Sequence, residues 1–282
     1  MATETLAPDL VDYAEATGLP DHATLYERLT AGHRGLIDPA EQRRLRTAKI
    51  LVAGCGSIGG AVVEPLIRMG AERLLLADAD DYELRDLNRR HAGLEDVGQN
   101  KAAVLAVWAA GVNPYAHVEV QVAGVTEETV ADVVAGCSVV IDGMDVTAPE
   151  ALRAKFALHR QARQAGVPVV SGYDIAGVQL VLVYDYRRAG PVFDGKITEA
   201  DLPDLQPMGF LSRVLPLRAL PVGIGDEPFP QVAYNAHLFG VIASQLVLDL
   251  LAERPVRRQI LVDDHDHDTV HVQNHVQGGT LS

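Results

Sequence analysis

Cysteine is scarce in this chain of 282 residues. Its two cysteines, Cys55 and Cys137, cannot form a disulfide framework, and both stand in predicted core positions, which suits a protein of the reducing cytoplasm. The sequence has no Cys-x-x-Cys pair, so we expect no structural zinc site of the multi-thiolate kind. No cysteine follows Cys137, and we therefore expect no cysteine nucleophile in the second half of the chain.

Long apolar runs and positive charge are scarce as well. We see no apolar run near the roughly 18 residues that a transmembrane helix needs, and the first residues lack the pattern of a secretion signal. We therefore expect a cytoplasmic protein without membrane contact. The 24 Lys and Arg are outnumbered by 38 Asp and Glu, and the formal charge of −14 argues against DNA binding through phosphates. A tRNA substrate held by a local basic patch is less favoured but not excluded by this charge.

Apolar stretches alternate with helical patterns from residue 49 to about residue 184. The strand candidates are Lys49–Ala53, Arg73–Asp78, Val118–Val122, Ser138–Asp142, Val167–Ser171 and Gln179–Tyr184. The helix candidates between them are Ser57–Met69, Gln99–Gly111, Glu127–Ala135 and Pro149–Ala165. Several strands are continuous apolar runs, which is typical of a parallel sheet covered on both faces. We predict an α/β fold, Rossmann-like, with a mostly parallel sheet and helices on both faces.

The two ends of the chain differ from this core. Residues 1–48 look helical and polar, and residues 189–230 are rich in proline and glycine, which predicts a long irregular excursion. A long apolar helix and a terminal hairpin are predicted at Tyr234–Leu251, Arg258–Val262 and Thr269–Val272. We predict a single domain with an N-terminal helical arm (1–48), a nucleotide-binding core (49–184) and a C-terminal region (185–282).

A glycine-rich turn follows the first strand. Gly54 allows the tight turn, Gly56 lets the backbone approach a phosphate, and Gly59 permits close packing of helix on strand. The helix that begins here offers amide donors and a partial positive charge. Asp78 comes about twenty residues later, where a carboxylate takes ribose hydroxyls. The residues predicted here to contact a nucleotide are Gly54, Gly56, Ser57, Ile58, Gly59 and Asp78.

Positive charge just past the acidic strand end favours a triphosphate over a dinucleotide. Arg89, Arg90 and Lys101 are together more charge than a dinucleotide needs, whereas a triphosphate needs it. Arg and Lys neutralise β and γ phosphates. Asp145 follows a later strand and could hold Mg²⁺. Because the carboxyl ends of parallel strands meet at one edge of a sheet, we expect these side chains to converge. Asp142, at the end of that later strand, is a further cofactor candidate, with helix capping or a structural role as the alternatives.

These elements resemble the ThiF/MoeB/HesA superfamily, the adenylating core shared with ubiquitin-activating enzymes. That family's pattern is a glycine-rich turn, an Asp-x-Asp strand end, an Asn-Leu-x-Arg-Gln segment, a Lys, and a Thr-Asp-Asn after a later strand. The matching elements here are Gly54–Gly59, Asp78-Ala79-Asp80, Asp86-Leu87-Asn88-Arg89-Arg90, Lys101 and Met144-Asp145-Val146. The resemblance covers about residues 28–184 and returns weakly in the helix Tyr234–Leu251.

The resemblance implies binding of ATP and Mg²⁺ and activation of a carboxylate as an acyl-adenylate. Asp78 would then bind ribose, Arg89 and Lys101 would bind the triphosphate, and Asp145 would handle Mg²⁺ and the attacking carboxylate. The remaining predicted cofactor contacts are Asp80, Asn88 and Asp142.

The family also lends an arginine from the N-terminal segment of a partner subunit, which implies a homodimer. Arg34 is our first candidate for that arginine and Arg28 the second. The lack of Cys-x-x-Cys pairs and of a catalytic cysteine resembles the zinc-free branches that act on natural products or small substrates, more than the sulfur-carrier branch.

Three positions depart from the family pattern. Asp86 replaces an Asn, Arg90 a Gln, and Val146 an Asn. Asn88 could serve for the missing Asn, so the choice between Asp86 and Asn88 stays open. The departures keep a non-catalytic nucleotide-binding scaffold as an alternative, and an NAD(P)-dependent oxidoreductase is another. The carboxylate substrate is a peptide, a carrier-protein C-terminus, a small acid or a tRNA base, and the sequence does not say which.

Two further groups carry weaker signals. The run Asp263-Asp264-His265-Asp266-His267-Asp268, with His271 and His275, is either a metal site or a solvated turn. Tyr173-Asp174 follows a predicted strand at the place where the resemblance puts the acyl substrate, with a turn cap as the alternative.

Overall fold

The computed structural model describes residues 4–5, 18–175, 177–215, 231–263 and 270–271. The strands in these residues are β1 (Glu4–Thr5), β2 (Lys49–Ala53), β3 (Arg73–Ala77), β4 (His117–Gln121), β5 (Val139–Asp142), β6 (Val169–Ile175), β7 (Val178–Tyr184), β8 (Gln259–Asp263) and β9 (Val270–His271). They form one nine-stranded sheet in the order β1-β4-β3-β2-β5-β6-β7-β8-β9.

Helices cover this sheet. The α-helices in the described residues are α1 (His22–Thr30), α2 (Pro39–Thr47), α3 (Ser57–Arg68), α4 (Lys101–Val112), α5 (Val130–Val134), α6 (Pro149–Ala165), α7 (Pro207–Val214) and α8 (Ala233–Leu251). Short 3₁₀ turns lie at Ala31–His33, Leu84–Asn88, Leu94–Asp96, Val192–Gly195 and Glu199–Asp204.

The centre of the sheet is parallel. Strands β4, β3, β2, β5 and β6 run in one direction, and antiparallel strands extend the sheet at both edges. Ala53, the last residue of β2, lies level with Ala77 of β3 and Asp142 of β5, so these three strands end together. The predicted α/β fold with a mostly parallel sheet is confirmed, and its carboxyl edge is where a ligand is expected.

Alternate residues of each central strand enter two separate cores. Leu51 and Ala53 of β2 pack on the side of α5, α6 and α7, whereas Ile50 and Val52 pack on the side of α3, α4 and α8. Both faces of the sheet are therefore shielded from water, which is why the central strands are continuously apolar.

Helix α8 corrects one expectation from the sequence. By length and composition it is apolar enough to cross a membrane, and the expectation that no such stretch exists was wrong. Phe239, Ala243 and Val247 on this helix have no exposed surface. Gly240 lies against α3, and a Cβ there would come within 2.2 Å of the carbonyl oxygen of Ala61. These contacts are those of a core helix rather than of a membrane span.

Several boundaries differ from the sequence predictions. Strand β6 runs four residues beyond its predicted end and includes Tyr173 and Asp174, since β7 pairs with it along its whole length. Helix α5 is only Val130–Val134 rather than Glu127–Ala135. The N-terminal arm was predicted to be helical, but the backbone of Glu4–Thr5 pairs with the edge strand β4. The irregular excursion contains the helix α7, and its residues 216–230 lie outside the described part of the chain.

The predicted start of α2 and the predicted terminal hairpin are both present. Asp38 accepts from the amides of Ala40 and Glu41, and the Glu41 carboxylate accepts from the Asp38 amide, which completes the predicted start of α2. Strands β8 and β9 pair as the predicted hairpin. Residues 264–269 and 272–282 lie outside the described residues, so the structure does not address the predicted metal tract there.

Three glycines bring two loops into backbone contact at the carboxyl edge. Gly54 has φ +81°, and a Cβ there would lie 2.7 Å from the carbonyl oxygen of Gly143. A Cβ on Gly59 would lie 1.9 Å from the carbonyl oxygen of Gly54, and one on Gly143 would lie 2.6 Å from the amide nitrogen of Gly59. The loops after β2 and β5 therefore touch with no room for side chains.

This packing predicts opposite effects of alanine at two glycines. Gly59→Ala should lower the free energy of unfolding by at least about 2 kcal/mol, because the methyl group collides with backbone. Gly111→Ala in α4, where no atom lies within 4 Å of the new Cβ, should raise it by about 0.5 kcal/mol through helix propensity. Urea unfolding of both variants measures the difference. Equal stabilities would contradict the backbone contact.

Candidate active site

A cleft of 1520 Å³ opens at the carboxyl edge of the sheet. Ten of the residues predicted for the site line it: Gly54, Gly56, Ser57, Ile58, Asp78, Asp80, Asn88, Arg89, Lys101 and Asp145. Three others, Gly59, Asp142 and Arg34, are not part of its lining in the described structure. The structure thus brings most of the predicted set together, and the roles of these residues stay predictions.

The glycine turn presents the start of α3 to the cleft. Gly56 is the N-cap of this helix and has no side chain to occupy the first amides. The first-turn amides of a helix have no partner within the helix and carry partial positive charge. This end of α3 is therefore suited to an anionic ligand.

The Asp78 carboxylate links the loop after β2 to the loop after β3. Its Oδ2 accepts from the amide of Cys55 at 2.6 Å, and its Oδ1 accepts from the amide of Asp80 at 2.9 Å. Burial raises the pKa of Asp78, and the two amides partly oppose that rise. Since each carboxylate oxygen has a second lone pair, Asp78 can still accept a ligand hydroxyl.

Lys101 places a cation at the cleft wall. It is the first residue of α4, whose N-cap Asn100 accepts from two backbone amides. The Lys101 ammonium lies 2.7 Å from Asp80 Oδ2. Lys101 is 5% exposed, whereas the Asp80 side chain is 73% exposed. The lysine is therefore fixed by the fold, while its carboxylate partner is free to turn towards solvent.

Two consecutive arginines supply further positive charge. The Nε atoms of Arg89 and Arg90 are buried and have no hydrogen-bond partner in the described structure. Burial, and next the neighbouring Arg90, lower the pKa of Arg89. The Arg90 guanidinium lies 3.9 Å from where a Cβ of Gly56 would be, beside the start of α3. Two guanidinium groups that line the cleft next to a helix N-terminus fit a phosphate ligand.

Arg90 is a site residue that the sequence reasoning undervalued. Its charge was counted in favour of a triphosphate, but as a departure from the family pattern it was left out of the predicted site residues; it lines the cleft and is paired with Asp86. Asp86 is 2% exposed and also accepts from the amide of Glu83 at 3.1 Å. The adjacent pair of arginines was the available signal, but a buried carboxylate partner is not visible in a sequence.

The structure does not decide between Asp86 and Asn88 for the family's Asn position. Each supports one arginine, since Asp86 pairs with Arg90 and the Asn88 Oδ1 accepts from Arg89 Nη1 at 2.8 Å. The Asn88 amide also donates to the carbonyl oxygen of Gln231 at 3.3 Å.

Asp145 is exposed and lines the cleft. Its Oδ1 accepts from the amides of Val146 and Thr147 at 2.7 and 3.0 Å, and its Oδ2 accepts from the Thr147 hydroxyl at 2.5 Å. These local bonds orient the carboxylate but leave it accessible. An accessible carboxylate oxygen is the ligand type that Mg²⁺ prefers.

Asp142 is not in the cleft, although it was predicted to contact the cofactor. Its side chain has no exposed surface and is bound by Lys155, His159 and Ser171. Burial raises the pKa of its carboxyl, but the Lys155 ammonium and His159 outweigh that and hold the pKa well below its usual value. This environment favours the structural alternative for Asp142.

Arg34 lies outside its own cleft. It follows the 3₁₀ turn after α1, and its guanidinium pairs with Glu27 at 3.0 Å with both side chains about 70% exposed or more. Arg28 lies in the last turn of α1. An arginine at this place is available to another molecule and not to its own nucleotide.

Tyr173, Asp174 and Gln231 line a further part of the cleft. Asp174 Oδ1 accepts from the side-chain amide of Asn235, in the first turn of α8, at 3.2 Å. The carbonyl oxygen of Gln231 accepts from Asn88, so this part of the cleft adjoins the segment that carries the arginines.

Neither cysteine is placed as a nucleophile. Cys55 has no exposed surface, and burial, with Asp78 nearby, raises the pKa of its thiol well above the usual value. Burial raises the pKa of Cys137 to about 11. A thiol in this state is mostly protonated near neutral pH and reacts slowly.

The comparison with protein families decides the affiliation. The model of the ThiF family matches residues 26–255. The chain belongs to the ThiF family. It is 32% identical over 174 residues to the SAMP-activating enzyme E1 of Haloferax volcanii, covering 61% of each chain. It is 31% identical over 124 residues to the sulfur carrier protein adenylyltransferase of Thermus thermophilus, covering 42% of this chain and 46% of that one.

The ThiF-family relatives are matched over part of their length. The chain spans 61% of the Haloferax enzyme and 24% of an uncharacterized Mycobacterium tuberculosis protein to which it is 35% identical. Among solved structures, Escherichia coli MccB with ATP superposes with a TM-score of 0.67 at 16% identity, covering 94% of this chain and 76% of that one. This structural likeness shows the shared fold.

The buried thiols of this ThiF-family protein lead to a test by alkylation. At pH 8 both thiols of the native protein should react on the order of 100-fold more slowly than in guanidinium, since raised pKa values and burial lower the reactive thiolate. Labelling followed by peptide mass spectrometry measures each cysteine, and Cys137→Ser isolates the rate of Cys55. Fast native labelling of Cys55 would contradict its placement behind the glycine turn.

Proposed function

We propose that the chain is an ATP-dependent adenylating enzyme that activates a carboxylate as an acyl-adenylate. The observation that carries this proposal is the convergence of Arg89, Arg90 and Lys101 on one cleft beside the glycine turn. The cleft as a whole is lined by more acidic than basic side chains, so the three cations form a small positive group within an acidic lining. Membership of the ThiF family supports the same reading.

The donor set fits a triphosphate. The side chains of Arg89 and Arg90 line the cleft and are partly exposed, so their outer N–H groups can donate to a nucleotide phosphate. Gly56 at the start of α3 leaves the backbone open to such an anion. Mg²⁺, when bound, supplies further neutralisation of the phosphate charge, and Asp145 is the exposed carboxylate that would hold it.

The proposed reaction is a displacement at the α phosphorus of ATP. A carboxylate oxygen of the substrate forms the new bond to this phosphorus, and the bond to the β-phosphate oxygen breaks, so pyrophosphate leaves with the electron pair. A carboxylate needs no base to become a nucleophile near neutral pH. Arg89, Arg90 and Lys101 therefore contribute by positioning the phosphates and by stabilising the charge that gathers on the leaving group.

The cleft has room for a second substrate. Its 1520 Å³ exceeds the roughly 300–1,000 Å³ of a typical small-molecule site. Tyr173, Asp174 and Gln231 line a part of the cleft beside the arginines, which we assign to the acyl substrate. The substrate is a peptide, a carrier-protein C-terminus or a small acid. A tRNA base is less favoured because of the acidic charge.

The other functional readings have less support. An NAD(P)-dependent oxidoreductase would leave the arginines and Lys101 without a role, and the family match does not favour it. A non-catalytic scaffold would not need three cations held at one cleft. The proposal also places the protein in the cytoplasm, which two unpaired, buried thiols suit.

Replacing Lys101 tests the adenylation proposal. Lys101→Ala should lower kcat/KM for carboxylate-dependent pyrophosphate–ATP exchange by on the order of 100-fold, because one charge that stabilises the leaving group is lost. Folding should be little affected, since the Asp80 side chain left behind is mostly exposed. The assay uses pools of peptides and small acids, with ATP and NAD binding followed by calorimetry.

Lys196→Ala is the matched control, because the Lys196 ammonium contacts only the carbonyl oxygen of Val214 among described neighbours and lies outside the cleft. It should retain wild-type exchange. Unchanged exchange in Lys101→Ala, or binding of NAD without binding of ATP, would refute the proposal.

The proposal includes a homodimer in which Arg34 acts in the partner's site. Arg34→Ala and Lys101→Ala should each be inactive alone, whereas co-expressed subunits should regain about one quarter of the wild-type activity by random pairing in a two-fold dimer. Only mixed dimers contain one intact site, with Lys101 from one chain and Arg34 from the other. Sedimentation equilibrium checks the dimer. Mixing without any recovery would count against Arg34 and leave Arg28→Ala as the next variant.

A further inference from the structure

A charged cluster lies beneath the cleft wall, outside the site described above. It consists of Asp142, Lys155 and His159, whose side chains have no exposed surface, and it is called the buried cluster. Asp142 ends β5, and Lys155 and His159 are four residues apart on one face of α6. No substrate can reach these groups in the described structure.

The hydrogen bonds of the buried cluster define its protonation. The Lys155 ammonium lies 2.7 Å from Asp142 Oδ1 and 2.6 Å from Oδ2. The His159 Nε2 is 2.9 Å from Oδ2, and its Nδ1 is 2.9 Å from the Tyr186 hydroxyl. Burial lowers the pKa of His159. A neutral His159 that donates from Nε2 and accepts at Nδ1 satisfies both contacts.

The buried cluster is hydrogen-bonded to the backbone of Met144, the residue before Asp145. The amide of Met144 donates to Asp142 Oδ1 at 3.2 Å, and the Lys155 ammonium donates to the carbonyl oxygen of Met144 at 3.5 Å. The amide and the carbonyl group of Met144 are thus both bound by the buried cluster. Gly143, one residue earlier, is held by its contact with Gly59.

The same ammonium also reaches the substrate end of the cleft. Lys155 Nζ lies 5.1 Å from the centroid of the Tyr173 ring, which lines the cleft. Ser171, two residues earlier on β6, donates to Asp142 Oδ2 at 2.7 Å. One buried cation therefore contacts both the loop before Asp145 and the strand that carries Tyr173.

Stability is a weak reason for such a cluster. Removing two charges from water is costly, and a well-packed apolar replacement of a buried ion pair is often as stable or more stable. A buried ion pair does more when it selects one arrangement of the chain around it.

We infer that the buried cluster is a positioning device for Asp145. It fixes the Gly143–Met144 backbone, which packs against Gly54, and so holds Asp145 in one place in the cleft. The inference rests on the proposed adenylation for its catalytic meaning. Misplacement of a reacting or binding group by about 1 Å can lower a rate by as much as 100-fold.

The double variant Asp142→Asn with Lys155→Met tests the inference, because it removes both charges and leaves none unpaired. We expect a melting temperature near wild type, an ATP Kd changed by less than a few-fold, and a kcat for pyrophosphate–ATP exchange lowered by roughly 10- to 100-fold. Faster deuterium uptake should appear in peptides covering residues 143–147, where the amide of Met144 is bonded to Asp142 and those of Val146 and Thr147 to Asp145.

Lys49→Met with Glu119→Gln is the matched control. It removes another pair of charges, which lie 3.4 Å apart. Lys49 is the first residue of β2, at the opposite end of that strand from the cleft. Its deuterium uptake at residues 143–147 and its kcat should equal wild type. If the cluster variant does not fold, Lys155→Met alone replaces it, since a protonated His159 can then balance Asp142.

Deuterium uptake needs no substrate, so it separates the two proposals. Wild-type uptake at residues 143–147 in a folded cluster variant overturns the positioning role, whatever the activity. Faster uptake with wild-type kcat also overturns it, because the reaction then does not depend on a fixed position of residues 143–147. If the wild-type enzyme shows no exchange with any carboxylate, adenylation fails, and faster uptake in the variant still supports the hold on the loop.

Discussion

Backbone contact among Gly54, Gly59 and Gly143 is the constraint on which the rest of the site depends. Gly54 and Gly143 lie in loops that follow two adjacent parallel strands, and Gly59 lies in the first turn of α3. One added methyl group at any of the three would collide with backbone. The contact brings the start of α3 against the loop that carries Asp145. The helix end that suits an anion and the carboxylate proposed to hold Mg²⁺ therefore belong to the same cleft.

The charges around this contact are arranged before any ligand arrives. Asp80 holds Lys101, and Asp86 holds Arg90, so each cation keeps its place without closing the cleft. The Asp80 side chain is exposed and can move, whereas Asp86 is buried and stays in place. A site that fixes its cations in advance needs little reorganisation when negative charge moves towards the leaving group.

The sequence analysis predicted the central strands well, because a parallel sheet buried on both faces leaves continuous apolar runs. It ended β6 too early at Ser171, since Gly172 reads as a break in isolation. In the structure that glycine is required, because a Cβ there would lie 2.5 Å from both Ile58 and Phe239. Helix α8 was expected to stay below membrane-spanning length and composition, and only its packing on α3 identifies it as a core helix.

The sequence by itself determined the α/β core, the glycine turn and the acidic strand ends, because those features depend on local periodicity and on residues near each other in the chain. Only the tertiary structure decided which charges are buried and with which partner. Asp142 is buried with Lys155 and His159 and does not line the cleft, whereas Arg90 lines the cleft beside Gly56. Such pairings depend on which way a side chain points once α6 has packed on the sheet, and periodicity alone carries no record of that.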